Sequence, residues 1–245
     1  MATYRLTLAY DGTRYRGWQR LDGTAMTVQG RVELALSEIF ETKIEIDGSG
    51  RTDAGVHATG QVASFHAPRR PTQTVLQRLR QLLPGDIGAM ALEEASERFH
   101  ARLNATEKTY VYRVWNSAQP DVFERRYRTQ VRQRLDLTAM EQGAALLLGT
   151  HDFRSFCANK QLKKSSVRTL KRLELTRDGD ELRFCLTADG FLYHMVRIIV
   201  GTLLEIGQGK RPAEDIGRIL EARCREAAGE TAPAKGLCLT EVRYE

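Results

Sequence analysis

The residues best able to do chemistry stand in one short stretch, Gly48-Ser49-Gly50-Arg51-Thr52-Asp53-Ala54-Gly55-Val56-His57-Ala58-Thr59-Gly60-Gln61. It holds a guanidinium at Arg51, a carboxylate at Asp53 and an imidazole at His57. A carboxylate in such company can serve as nucleophile or general base. Glycines at 48, 50, 55 and 60 imply turns with positive φ or close approach of another segment. Several familiar chemistries are excluded. A phosphate-cradling loop needs Gly-Lys-Ser/Thr, which is missing, and the dinucleotide fingerprint needs glycine where Asp53 stands. A nucleophile elbow needs Gly-x-Ser-x-Gly, a spacing Ser49 lacks. One plainer reading stays open: a glycine-rich hairpin whose Asp53 caps its own turn.

Two further residues draw notice. Arg197 interrupts the apolar stretch 191–206, either as a cation serving a carboxylate or as an arginine snorkelling from a helix end. Its longest apolar part, 195–206, broken also by Gly201 and Glu205, is too short and polar to cross a bilayer. Tyr110 offers a flat face to a ligand or simply packs in a sheet beside Tyr112. Cys157, Cys185, Cys224 and Cys238 form no Cys-x-x-Cys pair and are joined by no His-Glu-x-x-His, so structural thiols and no metal site are expected. With no apolar leader at the N-terminus, a cytoplasmic protein is expected.

Net charge is +6, a mild pointer to a polyanionic partner. Placement says more. Arg14, Arg16 and Arg20 are interleaved with Tyr15 and Trp18, and Arg125, Arg126 and Arg128 surround Tyr127, with Arg132 and Arg134 beyond. Lys160, Lys163, Lys164, Arg168, Lys171 and Arg172 form a third cluster. Basic side chains on loops and strand edges can reach phosphates, and three clusters favour nucleic acid over ordinary solvated charge.

The stretch from Gly50 to Ala58 resembles the signature of the tRNA pseudouridine synthase A (TruA) family. The likeness runs along nearly the whole chain. It takes in Tyr10-Asp11-Gly12-Thr13, Gly17-Trp18-Gln19-Arg20, Phe99-His100-Ala101-Arg102 and Lys108-Thr109-Tyr110-Val111-Tyr112. It continues through His151-Asp152-Phe153, Ser155-Phe156, Phe191-Leu192-Tyr193-His194-Met195-Val196-Arg197 and Gly236-Leu237. Segments 160–166 and 222–234 match only loosely. The resemblance implies isomerisation of uridine to pseudouridine at nucleotides 38 to 40 of the tRNA anticodon stem-loop, by a homodimer with no cofactor or metal. It implies Asp53 as nucleophile, Tyr110 stacked on the target base, Arg197 paired with the aspartate and Arg51 holding the nucleotide out of the helix.

The chemistry is consistent with those residue types. The N1–C1′ bond breaks, the uracil turns and C5 joins C1′, a redox-neutral exchange. A carboxylate can attack C1′ or remove a ribose proton, and the sequence leaves both open. A guanidinium partner opposes the tendency of burial to neutralise a carboxylate. The base must first leave its stack, at a cost of a few kcal/mol offset in the pocket. His57 and His194 are expected in structural or RNA-contact roles, and Leu237 or Leu239 in the pocket's apolar wall.

These residues need elements to position them. Alternation predicts strands at 4–10, 43–46, 61–66 and 89–95, with helices after Thr27 and Thr72 as caps. Strand-helix-strand-strand-helix-strand is the split βαβ order. In the second half a strand at 109–116, a helix at 138–148 and a hairpin of 170–177 with 181–188 follow. A helix over 191–206, another starting at Pro212 and a strand over 237–244 complete it. The expected fold is α+β: two ferredoxin-like halves, 1–104 and 105–245, forming a mostly antiparallel mixed sheet with helices on one side.

Overall fold

The structure is a computed structural model that describes residues 1–24, 26–161 and 163–244. Leu162, within the loosely matching segment 160–166, and Glu245, the end of the expected second half, lie outside the described residues. The chain divides into two compact units, Met1–Thr106 with Cys238–Glu245, and Glu107–Leu237. Each is α+β.

In the first unit β1 (Ala2–Tyr10), α1 (Val28–Phe40), β2 (Asp47–Gly48), β3 (His57–Ala67), α2 (Thr72–Leu82) and β4 (Ile87–Ala95) follow the expected order. β1 pairs antiparallel with both β3 and β4, and β2 lies antiparallel on β3, as the split βαβ order requires. The last strand, β10 (Leu237–Tyr244), runs parallel to β3 through Cys238↔His57 and Leu239↔Ala58. Tyr4, Leu6, Leu8 and Tyr10 point inward at every second residue of β1. Tyr4 stacks on Phe65 at 5.0 Å and meets Phe40 of α1 at 6.0 Å. That contact seats the helix on the sheet. Thr27 caps α1 as expected, its hydroxyl accepting from Gly30 N at 3.3 Å.

Two local expectations are corrected. Ile44 and Ile46 are buried as the alternation requires, yet 43–46 is no strand. Side chains of α1 take the place of a neighbouring strand. Ile44 N donates to Ser37 Oγ, Ile46 N to Glu33 Oε1, and Gln29 Nε2 donates to Ile46 O. Backbone groups satisfied this way need no ladder. Thr72 does not cap α2 either: it is the first helical residue, and Pro71 before it makes no side-chain cap bond.

The second unit holds β5 (Ala105–Trp115, its first two residues in the other unit), β6 (Thr129–Gln130), α3 (Leu137–Ala145), β7 (Gly149–Asp152), β8 (Val167–Asp178), β9 (Glu181–Ala188), α4 (Met195–Gly207) and α5 (Asp215–Ala222). β5, β9, β8 and β7 are antiparallel neighbours in that order, and β6 runs parallel to β5. The mixed, mostly antiparallel sheet is the one expected. α3 starts behind its cap Asp136 and stops short of 148. α4 begins at Met195 rather than 191, because His194 adopts the left-handed conformation, φ 62°, ψ 6°. α5 begins at Asp215, since 212–214 form a turn closed by Asp215 N donating to Pro212 O.

Candidate active site

The loop between β2 and β3 is stitched at both ends by neutral groups. Gln61, wholly buried, accepts from Ser49 Oγ at 2.7 Å and donates through Nε2 to Gly50 O at 3.0 Å and to the Tyr10 hydroxyl at 3.3 Å. The Tyr10 and Thr52 hydroxyls share a buried hydrogen bond of 2.8 Å, and burial pushes the Tyr10 phenol well above its usual range. Trp18 N donates to Thr52 O at 3.0 Å. One residue on, Val56 N donates to Asp53 O at 3.1 Å, closing a turn whose third residue, Gly55, has φ 78°. Asp53 is thus gripped through its backbone on either side while its side chain is half-buried.

Segment 12–18 presses against this loop at van der Waals distance. A Cβ at Gly12 would stand 2.0 Å from Val56 O, and one at Gly17 would stand 2.8 Å from Thr52 O. Only glycine permits that approach. Gly12 N donates to His57 Nδ1 at 3.1 Å, and the same nitrogen lies 3.2 Å from Asp11 Oδ1. His57, buried, fastens the loop to the end of β1. Arg51 is exposed, with no ion-pair partner among the described residues.

The first basic cluster is not the exposed mixture of rings and cations that its sequence suggested. Tyr15 and Trp18 are core residues, and burial with the Asp86 contact pushes the Tyr15 phenol up to about 12. Arg14 is bound to Asp86, and Arg20 to Glu33 and Glu45, whereas Arg16 is exposed with no ion pair among the described residues. The second cluster is corrected further. Arg128 pairs with Asp121 at 2.7 Å and Glu181 at 2.6 Å, and lies over the Trp115 ring at 5.4 Å. In the third, Lys171 pairs with Glu107 and Arg172 with Glu174, while Lys160, Lys163 and Lys164 are exposed.

Tyr110, Arg197 and Leu237 belong to the second unit, and Arg51, Asp53 and His57 to the first. Tyr110 sits on β5 opposite Leu186, is 7% exposed, and meets the Phe191 ring edge-on at 5.1 Å. Its neighbour Tyr112 is fully buried, its hydroxyl within 2.7 Å of Thr129 Oγ1 and donating to Pro233 O at 2.8 Å. Arg197 is half-buried, and its Nε donates to Ala232 O at 2.8 Å. Leu237 and Leu239 are buried. The residues missed by sequence reasoning are Ser49, Thr52 and Gln61, polar and buried inside or beside the loop, a combination that calls for hydrogen-bond partners. Among the described residues no group of three or more His, Cys, Asp or Glu is placed to hold a metal ion.

A family model described as tRNA pseudouridine synthase matches residues 7–104 and 144–245. The chain belongs to that family, whose members are isomerases. Arg51, Asp53, His57, Arg197 and Leu237 fall in the matched segments, and Tyr110 outside them. The chain is similar to the tRNA pseudouridine synthase A of Moorella thermoacetica, at 48% identity over 100% of both chains. It is also similar to the tRNA pseudouridine synthase A of Halalkalibacterium halodurans, at 50% identity over 95% of this chain and 89% of that one. A tRNA pseudouridine synthase A 2 of Bacillus cereus is 42% identical over the full length of both. Among solved structures, a chain of a Cbf5-Nop10-Gar1 complex matches with TM-score 0.40 and 12% identity, over 96% of this chain and 48% of that one.

Proposed function

We propose that this protein converts uridine to pseudouridine at positions 38 to 40 of the tRNA anticodon stem-loop. In this reading Asp53 is the catalytic carboxylate and Arg197 its guanidinium partner. The observation that carries it is the clamp on the loop: residues 52 and 53 are fixed by Trp18 N, the Tyr10 hydroxyl and the turn to Val56, while the Asp53 side chain stays half-buried. Rigid placement of one reactive group is how an enzyme converts geometry into rate.

The chemistry balances without an external oxidant or reductant. The N1–C1′ bond breaks, C5 bonds to C1′, and the proton lost from C5 is matched by one gained at N1. Attack at C1′ and removal of a ribose proton both start from the same placement of the carboxylate. Tyr110 gives the flipped base an aromatic face, worth roughly 1–3 kcal/mol. Arg51, exposed two residues before Asp53, contacts the RNA backbone where the nucleotide is drawn out, and Leu237 lines the base with apolar surface. The protein acts as a homodimer in the cytoplasm, without cofactor. No helix among the described residues is long and apolar enough to cross a membrane.

The test is incubation with unmodified tRNA followed by site-resolved mapping of pseudouridine. Signal is expected at 38 to 40 and nowhere else in the anticodon arm. Modification confined to another part of the tRNA would overturn the substrate assignment.

A further inference from the structure

Tyr193 is unlike the other aromatic residues near the proposed chemistry. It is 55% exposed, whereas Tyr110 is 7% and Tyr112 fully buried. Exposure alone is common for a single aromatic residue and means little. What sets Tyr193 apart is that the exposed ring is held. It is stacked on the His194 imidazole, with centroids 3.8 Å apart and 29° between planes. His194 reaches that position by adopting φ 62°, a conformation that L side chains avoid. The backbone on both sides is fixed: Ala158 N donates to Tyr193 O at 3.1 Å, Met195 N to Leu192 O at 3.0 Å, and Ile198 N to His194 O at 3.0 Å.

A strained backbone that keeps a polar-edged aromatic pair half in water has no use in a core. It suits a surface that receives another flat ring. The surroundings indicate which kind. The segment tied to Tyr193 through Ala158 continues into Lys160, Lys163 and Lys164, all exposed, and Arg154 Nη2 anchors it by donating to Lys160 O at 2.7 Å. An aromatic face with ammonium groups carried on the adjoining segment matches a nucleotide: the ring takes the base and the lysines take the phosphates.

We propose that Tyr193, stacked on His194, is a platform for one unpaired nucleobase of the RNA substrate, distinct from the base that Tyr110 meets. The proposal rests on the RNA-modifying function argued above and adds a second binding site to it. Tyr193 is a binding residue and takes no part in bond making.

The experiment uses the full-length protein and unmodified tRNA anticodon stem-loops carrying 2-aminopurine at single loop positions other than 38 to 40. Wild type, Tyr193→Phe and Tyr193→Ala are compared for binding, for fluorescence quenching and for turnover. Loss of one stacked base is expected to weaken binding of Tyr193→Ala by about tenfold to a hundredfold. KM should rise by the same factor while kcat stays within about twofold. Quenching at one loop position should vanish in Tyr193→Ala and persist in Tyr193→Phe. The dependence on salt should match wild type, because no phosphate contact is removed. Unchanged binding and quenching in Tyr193→Ala would overturn the platform, as would a loss in Tyr193→Phe as large as in the alanine variant. Wild type that binds and quenches yet forms no pseudouridine would overturn the proposed reaction and leave the platform standing.

Discussion

Two acidic residues, one in each unit, stand on differently built supports. Glu181 is nearly buried and meets three guanidinium groups: Arg113 at 2.8 Å, Arg128 at 2.6 Å and Arg183 at 2.6 Å. Burial by itself would raise its carboxyl, but hydrogen bonds from Arg113 and Arg183 and the charges around it bring it down to about 2. Around Asp53 the contacts that fix the loop come instead from hydroxyls, one amide, backbone groups and two close-packed glycine residues. Among them, Trp18 N and Val56 N act on the backbone of residues 52 and 53. An acid enclosed by arginine side chains is spent on the fold. A loop fixed through its backbone sets the position of the acid it carries.

That contrast can be broken at four points. The largest effect is expected for Asp53→Asn, which keeps the shape of the side chain and removes the carboxylate. Turnover should fall by on the order of 10³-fold or more in a single-turnover assay. Next comes Gly12→Ala, whose new methyl group would fall 2.0 Å from Val56 O, so the loop must shift. Displacement of a reactive group by about 1 Å costs on the order of 10²-fold in rate, and overpacking costs about 1–3 kcal/mol of stability. Rate and urea midpoint should both drop.

Glu181→Gln should do the reverse: about 3 kcal/mol of stability lost in urea unfolding, with turnover per folded molecule within about twofold. The pH dependence has a definite sign. The folded carboxyl lies at about 2, below its ordinary 4.5, so its contribution is complete above 4.5 and disappears as pH falls from there toward about 2. In Glu181→Gln that part of the acid sensitivity should be missing. The smallest effect belongs to Thr52→Val, which removes one buried hydroxyl from Tyr10. About 1 kcal/mol of stability and a few-fold in rate are expected to go with it.

The same contrast explains what could be read from the chain and what could not. Alternation located β1, and Thr27 marked the start of α1, because those signals are local and act through burial and capping. Residues 43–46 carry a true alternation, but the groups that satisfy them come from the helix before, which periodicity cannot reveal. A single left-handed residue, His194, shortened α4. The loop with Asp53 was legible because glycine spacing and an acid between a cation and an imidazole are visible in order. Arg128 was misread because one of its acids, Glu181, lies far along the chain. Asp121 and Glu124 stood close enough to have given warning. What sequence could not supply was which basic residues are committed to acids.

The most direct test of whether Asp53 serves chemistry and not the fold is to titrate Asp53→Asn with unmodified tRNA beside a measurement of its urea midpoint. Affinity and midpoint should both match wild type while pseudouridine formation is lost. A variant that still forms pseudouridine at the wild-type rate, or whose inactivity is accounted for by unfolding, would contradict the assignment.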